Sequence, residues 1–508
     1  MSAAPSRRLT APRPAPARVL WRHALEGALS TVAAAVTMAA AAWTALALLG
    51  ADAIAPASRL VPTVVGMAFG GGITLTSAAS VGSGGDETLG DGGLGGLGGL
   101  DLGLTGVVSM MPLTVTFLGT AVLALGFFRP LHRRPQPASE LLWARFGGAL
   151  AAAAVVFPLL AGTAHGTARL PEGVTERFGR GEASEGLGRF AGGLTDGLPS
   201  AAFETDVAVT VFFGLLWVCA VLGISCVAAR RTTPSRHLAL GQARRSWHAV
   251  TSTLSGIAAV LCCSVLALAL VAALAALTGR EHAAEAAGAL LLVGPNLLVV
   301  LLTAGLGTPW GAGIQRLTPE GGGMLGGLGG AGGGGATGTD RSVDLGSWSG
   351  AGVPLWLVGL LLVLLLAVIA GYLAAARTPA RTRQEEARAV FGRNAEIAMR
   401  LGIAVGLPVL LLPLAARGSL GIGVSLMGQE MGGVAAGIDG RPGLSALAAV
   451  VVAAVAGYGG IRLHQRRARR RQELRQALHG EPGRAERPAP SPVLARAGAS
   501  RGSSGPAS

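Results

Sequence analysis

Gly294-Pro295-Asn296 interrupts an apolar run over 286–307 near its middle, and Gly305, Gly307 and Pro309 loosen the end of that run. Glycine and proline at this spacing predict a broken helix. An asparagine at such a break can offer its amide to a polar ligand, as transporters do where helices are interrupted. The same residues also suit a Pro-kinked packing helix whose asparagine bonds a neighbour. An earlier segment, 60–78, offers Pro62 and Val64-Val65-Gly66-Met67-Ala68-Phe69-Gly70-Gly71 in the corresponding place, with Thr63 where the asparagine would stand. The candidate helix-break or pathway residues are therefore Pro62, Gly66, Gly70, Gly71, Gly294, Pro295, Asn296, Gly305 and Gly307.

Other chemistry is scarce. All 41 basic residues are arginine, so phosphate loops of the Walker type, pyridoxal Schiff bases and lysine general bases are excluded. There is no G-x-S-x-G or H-E-x-x-H motif and no pair of carboxylates inside an apolar run, and Glu26 and Asp206 fall at the ends of such runs. Cys219, Cys226, Cys262 and Cys263 lack C-x-x-C spacing and read as small apolar residues. Met67, Met110, Met111, Met427 and Met431 form no clustered repeat with a histidine partner, so Cu(I) is not expected. No catalytic residue, metal or cofactor is expected, and no enzyme.

The elements that must position these residues are membrane spans. Of 508 residues, 51% are hydrophobic and 13% charged, and the mean hydropathy is +0.54. A soluble domain carries about 25% charge. Runs of about 20 apolar residues, enough to cross the hydrocarbon layer as helix, cover approximately 27–50, 109–128, 146–163, 206–229, 249–278, 353–376, 401–416 and 443–461. The first is too long for a signal-peptide core and reads as an uncleaved span. With 60–78 and 286–307 taken as re-entrant or surface-lying, 31 of the 41 arginines lie on one side, together with both termini. The positive-inside rule makes that side cytoplasmic. The net charge of +14 is then a topology signal, and nucleic acid is not an expected partner.

An internal repeat organises the spans. Residues 144–161 align without gaps on 399–416, matching Arg145 with Arg400 and Pro158 with Pro413. Both arginines stand thirteen positions ahead of their prolines and read as snorkelling anchors, with a gating or anion contact as the alternative. The predicted fold is all-α, with about eight transmembrane helices in two parallel four-helix repeats, each with a possible re-entrant segment. The divisions are a basic N-terminal segment (1–26), a first membrane repeat (27–229), a basic linker (230–248), a second repeat (249–461) and a tail (462–508). Gly-rich stretches at 84–106 and 321–335 read as flexible external loops. The tail is polybasic from Arg462 to Arg475, which predicts contact with anionic lipid at the cytoplasmic face, and then Pro-, Ser- and Gly-rich.

The VVGMAFGG stretch, the Gly-rich outer loop, Met111-Pro112-Leu113 leading to Phe128-Arg129-Pro130-Leu131, GPNLL and GLGTPWG together resemble the streptophobe family, very hydrophobic membrane proteins of Streptomyces and related actinobacteria. The resemblance implies a multi-pass protein of the plasma membrane and brings no activity, cofactor or catalytic residue. Two functions follow as expectations: a membrane or envelope-associated scaffold without turnover, and a solute permease or channel with its pathway between the halves. Protein partners are not legible.

Overall fold

A computed structural model describes residues 16–80, 101–128, 139–169, 200–228, 240–279, 282–317, 341–344, 349–350, 352–378, 391–426, 429–441 and 443–479. The chain divides into two units, Met1–Ile461 and Arg462–Ser508. Of the second, the described part is helical and arginine-rich.

Alanine-, leucine- and valine-rich runs form helices because a backbone surrounded by hydrocarbon must satisfy its own hydrogen bonds. The helices are α1 (Ala17–Leu48), α2 (Ala57–Ala68), α3 (Leu113–Phe128), α4 (Ser139–Thr163), α5 (Val207–Ala228), α6 (Leu240–Leu277), α7 (Ala283–Gly305), α8 (Leu355–Arg377), α9 (Arg393–Ala416) and α10 (Gly443–His479). Among the described residues eight are long and apolar enough to cross a membrane, namely all but α2 and the shorter α3. The chain is a multi-pass membrane protein. Large apolar side chains such as Leu125, Val155, Val271 and Val451 stay exposed on the helices, as lipid-facing residues do.

The set of long helices differs by one exchange from the set expected. Residues 286–307, expected to be interrupted, form the continuous 23-residue α7, about 34 Å long at 1.5 Å per residue. The expected span at 109–128 is the 16-residue α3, about 24 Å long, with Ser109 and Met110 closing a strand. Segment 60–78 is divided between α2 and the start of a strand.

The largely helical chain also carries a sheet that its glycine-rich connections had concealed. Four hairpins join consecutive helices: β1 (Ile73–Ser80) with β2 (Asp101–Met110), β3 (His165–Arg169) with β4 (Ser200–Thr205), β5 (Trp310–Leu317) with β6 (Arg341–Asp344), and β9 (Gly418–Leu426) with β10 (Gln429–Gly440). A short ladder of β7 (Ser349–Gly350) and β8 (Val353–Pro354) precedes α8. The four hairpins form one eight-stranded antiparallel sheet in the order β3-β4-β1-β2-β9-β10-β5-β6. Residues 101–106 of the first Gly-rich stretch thus belong to β2, whereas 84–100 and 321–335 lie outside the described residues.

Register gives the sheet two unlike faces, because side chains alternate along a strand. Phe203, Leu75, Val108, Leu420, Ala436 and Ile438 share one face. Thr74, Thr76, Thr105, Ser109, Ser419 and Asp439 share the other.

A common sheet also fixes helix directions. The C-terminal ends of α2, α4, α7 and α9 and the N-terminal ends of α3, α5, α8 and α10 all lie at the sheet end of the bundle. Helix α6 starts at the far end, where Val250 packs with Ala370 and Ala374 and the Arg377 guanidinium donates to Thr253 Oγ1 at 3.2 Å. It therefore runs towards the sheet, and α7, which follows within a few residues, both begins and ends on the sheet side. Along its length α7 meets the C-terminal end of α1 at Gly288, the first turn of α3 at Asn296 and the first turns of α8 at Gly305.

The core forms two principal clusters. One joins Met38, Val65, Leu123, Phe157 and Leu222 of α1 to α5, and the other joins Val250, Ala374, Leu401 and Ile461 of α6, α8, α9 and α10. Helices α1 and α4 approach closely at Gly27 and Gly148. A Cβ on Gly148 would lie 2.0 Å from the Ala24 carbonyl oxygen, whereas Gly147 faces open space. Gly148→Val should destabilise the bundle by about 3 kcal/mol, at the upper end of overpacking costs because backbone cannot step aside. Gly147→Ala should be neutral or stabilising by up to about 1 kcal/mol through helix propensity. Thermal unfolding of the two variants in detergent, read by fluorescence-detected size exclusion, measures the contrast.

Candidate functional site

The two glycine- and proline-bearing segments converge on the first turn of α3. On one side the Thr116 hydroxyl donates to the Ala68 carbonyl at the end of α2, at 2.9 Å. On the other, the Leu113 N–H donates to Asn296 Oδ1 at 3.1 Å, Asn296 Nδ2 donates to the Met111 carbonyl at 2.8 Å, and the Thr114 hydroxyl donates to the Leu292 carbonyl at 3.4 Å. The first N–H groups of a helix have no partner within it, and Asn296, itself buried, supplies one from another helix. Its amide is therefore committed to the α3 backbone. The expected helix break does not form: α7 runs on through Gly294-Pro295-Asn296. Proline inside a membrane helix is tolerated where neighbours satisfy the freed backbone groups, and the Thr114 hydroxyl lies against this stretch of carbonyls.

The remaining predicted residues serve packing. Pro62 is buried inside α2. Gly66 and Gly71 face Thr210 in the first turn of α5 and Thr205 at the end of β4, and Gly70 has a φ of 90° that permits the turn from α2 into β1. The adjoining Phe69 ring lies 4.6 Å from Phe157 and 5.2 Å from Trp217, centroid to centroid. Trp217 Nε1 donates to Thr120 Oγ1 at 3.2 Å. Gly294 faces Val265 of α6, and a Cβ on Gly305 would lie 2.3 Å from the Gly359 carbonyl carbon. Gly307, at φ 81°, turns the chain from α7 towards β5. There the Thr308 and Ser445 hydroxyls lie 2.8 Å apart, and Trp310 Nε1 donates to Thr303 Oγ1 at 2.9 Å. An open cavity of about 370 Å³ at this turn is lined by Ala304, Gly305, Gly307, Thr308, Pro309, Trp356 and Leu360.

Arg145 and Arg400 sit in unlike surroundings. Arg145 does not snorkel: its side chain is 1% exposed, Nη1 donates to Glu26 Oε2 of α1 at 2.9 Å, and Nη2 donates to the Gly126 carbonyl at 3.0 Å. The guanidinium carbon lies 5.2 Å from the centroid of the Phe127 ring. One side chain thus fastens α4 to α1 and to the end of α3, and Glu26 also lies 3.3 Å from His23 Nδ1. Arg400 pairs with Glu396 one turn away on its own helix and is partly exposed. Pro158 and Pro413 both lie inside their helices.

Asp206, at the end of its run, accepts the Val209 N–H through Oδ1 at 3.0 Å, so it caps α5. Among the described residues no three histidine, cysteine, aspartate or glutamate side chains gather as a metal site, and the four cysteines form no disulfide. The arrangement fastens helices to one another.

No family model, curated protein or solved structure matches the chain.

The residues that sequence reasoning missed are the threonines. Thr114, Thr116 and Thr303 look like ordinary span residues, and only their occurrence in first or last turns hinted at a backbone role. Glu26 was visible at a span end, but its partner is 119 positions away.

Proposed function

We propose that the chain is a membrane scaffold without turnover, whose helix bundle carries the eight-stranded sheet on the extracytoplasmic face of the plasma membrane, with both termini cytoplasmic. The observation that carries this reading is the joint sheet: the hairpins of the first half of the sequence and those of the second meet through β2 and β9 in one ladder at one end of the bundle. Asn296, the polar residue of the predicted pathway, is engaged by neighbouring backbone, which supports a packed interior. The arginine bias supports the orientation, since Arg22, Arg377, Arg393 and Arg400 belong to the bundle end away from the sheet.

The two-repeat organisation draws support from strand order. The series β3-β4-β1-β2 and β9-β10-β5-β6 have the same connectivity, each with the hairpin that follows the fourth helix of its half placed before the hairpin that follows the second. In that reading α2 and α7 are the surface-lying pair, each with its C-terminal end at the sheet. The streptophobe resemblance accords with it. Anionic lipid is the expected partner of the arginine-rich stretch that begins at Arg462.

The cavity beside Gly305 and Gly307 favours a second reading, a permease or channel, because it adjoins the residues where a pathway was expected. Single cysteines at Thr63 and Asn296, in a background lacking the four native ones, separate the two. The scaffold predicts protection of 63 and 296 from a membrane-impermeant maleimide, and rapid labelling of both would overturn it. The same reagent applied to cysteines at Ser139 and Thr378 should label both only after the cytoplasmic side is opened, and labelling of either from outside removes the proposed orientation.

A further inference from the structure

The apolar face of the sheet is covered in one part and open in another. On β4, Ala201, Phe203 and Thr205 are buried, and Thr205 lies against Gly66 and Gly71 at the end of α2. Across β2, β9, β10 and β5 the same face lines a groove of about 480 Å³, within the range of small-ligand sites. Leu420 and Ile438 in its wall are 39% and 43% exposed, beside Val108, Met110, Ala312 and Ala436. None of the described lining residues is charged, and Ser419 alone has a polar side chain.

The groove begins beside the ends of the helices. Gly418 stands two residues after α9, Met110 three before α3 and Ile438 five before α10. Apolar surface that opens where helices leave the bilayer is continuous with lipid. The four strands of its wall are each paired on both sides, so their backbone has nothing to offer a peptide, whose own amides would be left without partners. A hydrocarbon chain needs none. Exposed Arg417 and Arg441 stand at the same boundary, one residue before Gly418 and one after Gly440, where the phosphate of a headgroup would meet them.

We infer that this groove takes one acyl chain of a phospholipid drawn from the leaflet on the sheet side. The inference rests on the membrane character of the chain and is independent of which side of the cell the sheet faces and of whether a pathway exists.

The test uses the full chain in lipid nanodiscs containing phosphatidylglycerol with a diazirine at the end of one acyl chain. After illumination, adducts are mapped by peptide mass spectrometry. Adducts are expected on the peptides of Val108, Leu420 and Ile438 as well as on the lipid-facing residues Leu268 and Val271 of α6, which are 56% and 61% exposed. Ala436→Trp, which fills the groove, should reduce the sheet adducts at least fivefold and leave those on α6 unchanged. The α6 adducts show that the variant is folded and inserted, and the smaller Ala436→Val guards against its loss. A diazirine fatty acid added from water should label the sheet at least fivefold less than the phospholipid. Sheet labelling that is absent, equal in wild type and Ala436→Trp, or stronger with the free fatty acid overturns the inference. So does a disulfide-linked dimer formed efficiently by Ile438→Cys, which would give the groove to a second copy of this chain.

Discussion

Arg145→Met is expected to lower the stability of the bundle by about 3–5 kcal/mol, the cost of breaking a buried pair by removing one partner. Methionine keeps much of the volume and removes the charge. The Gly126 carbonyl then loses its donor, and Glu26 keeps an anion without its guanidinium. Because the Glu26 side chain is 39% exposed, solvent relieves part of that cost, which places the expected loss in the lower half of the range. Arg145→Lys should recover little, since one ammonium cannot reach the carboxylate and the carbonyl in the geometry of the planar fork. Glu26→Gln combined with Arg145→Met should cost less than the two changes added together, which identifies the pair as coupled. The equivalent change at Arg400, whose side chain is 24% exposed against 1% for Arg145, should cost less, because more of the charge is in contact with solvent. Thermal inactivation of monodispersity in detergent reads all of these. Equal losses at Arg145 and Arg400 would show that the buried contact between helices contributes nothing beyond a partly exposed pair within one helix.

Asn296→Leu should cost about 2–6 kcal/mol through two part-buried groups left without partners, the Leu113 N–H and the Met111 carbonyl, at about 1–3 kcal/mol each and less where solvent reaches them. Leucine is of similar size, so the loss would reflect hydrogen bonding more than volume. Asn296→Asp is the sharper probe: one carboxylate oxygen can still accept from Leu113, while the other would face the Met111 carbonyl, so a charge would be buried against an acceptor. It should be at least as damaging as leucine. If Asn296→Ser or Asn296→Leu left stability and α3 protection in hydrogen exchange unchanged, the clamp would not be what fastens α3 to α7.

The helices were legible in the sequence because hydrocarbon thickness imposes a length that composition alone reveals, and α1, α4, α5, α6, α8, α9 and α10 all follow that rule. The sheet was not read, although its signal is present. Gly418-Ser419-Leu420-Gly421-Ile422-Gly423 alternates large apolar with small residues at period two. Glycine lowers strand propensity, and the abundance of glycine around 84–106 and 321–335 points first to unstructured linkers. The partner of β2 also lies far away in the chain: the Thr105 hydroxyl donates to the Gly423 carbonyl 318 positions on. At the candidate site, the residue types around Asn296 were identified, but the choice between a ligand and the α3 backbone depended on where α3 begins. Repeat matching placed Arg145 and Arg400 together, whereas their acid partners, Glu26 on another helix and Glu396 on the same one, give them different environments.

Pairing across 318 positions also sets a timetable for biogenesis. At about 5–20 residues per second, the ribosome needs about 15–60 s after completing β2 to deliver the strand that covers its open edge. During that interval the nascent chain holds a naked ladder outside the translocon, a template for pairing with other nascent chains. Truncation between residues 110 and 418 leaves that edge permanently unprotected, so such shortened products should be aggregation-prone and quickly degraded even when every helix they contain is inserted.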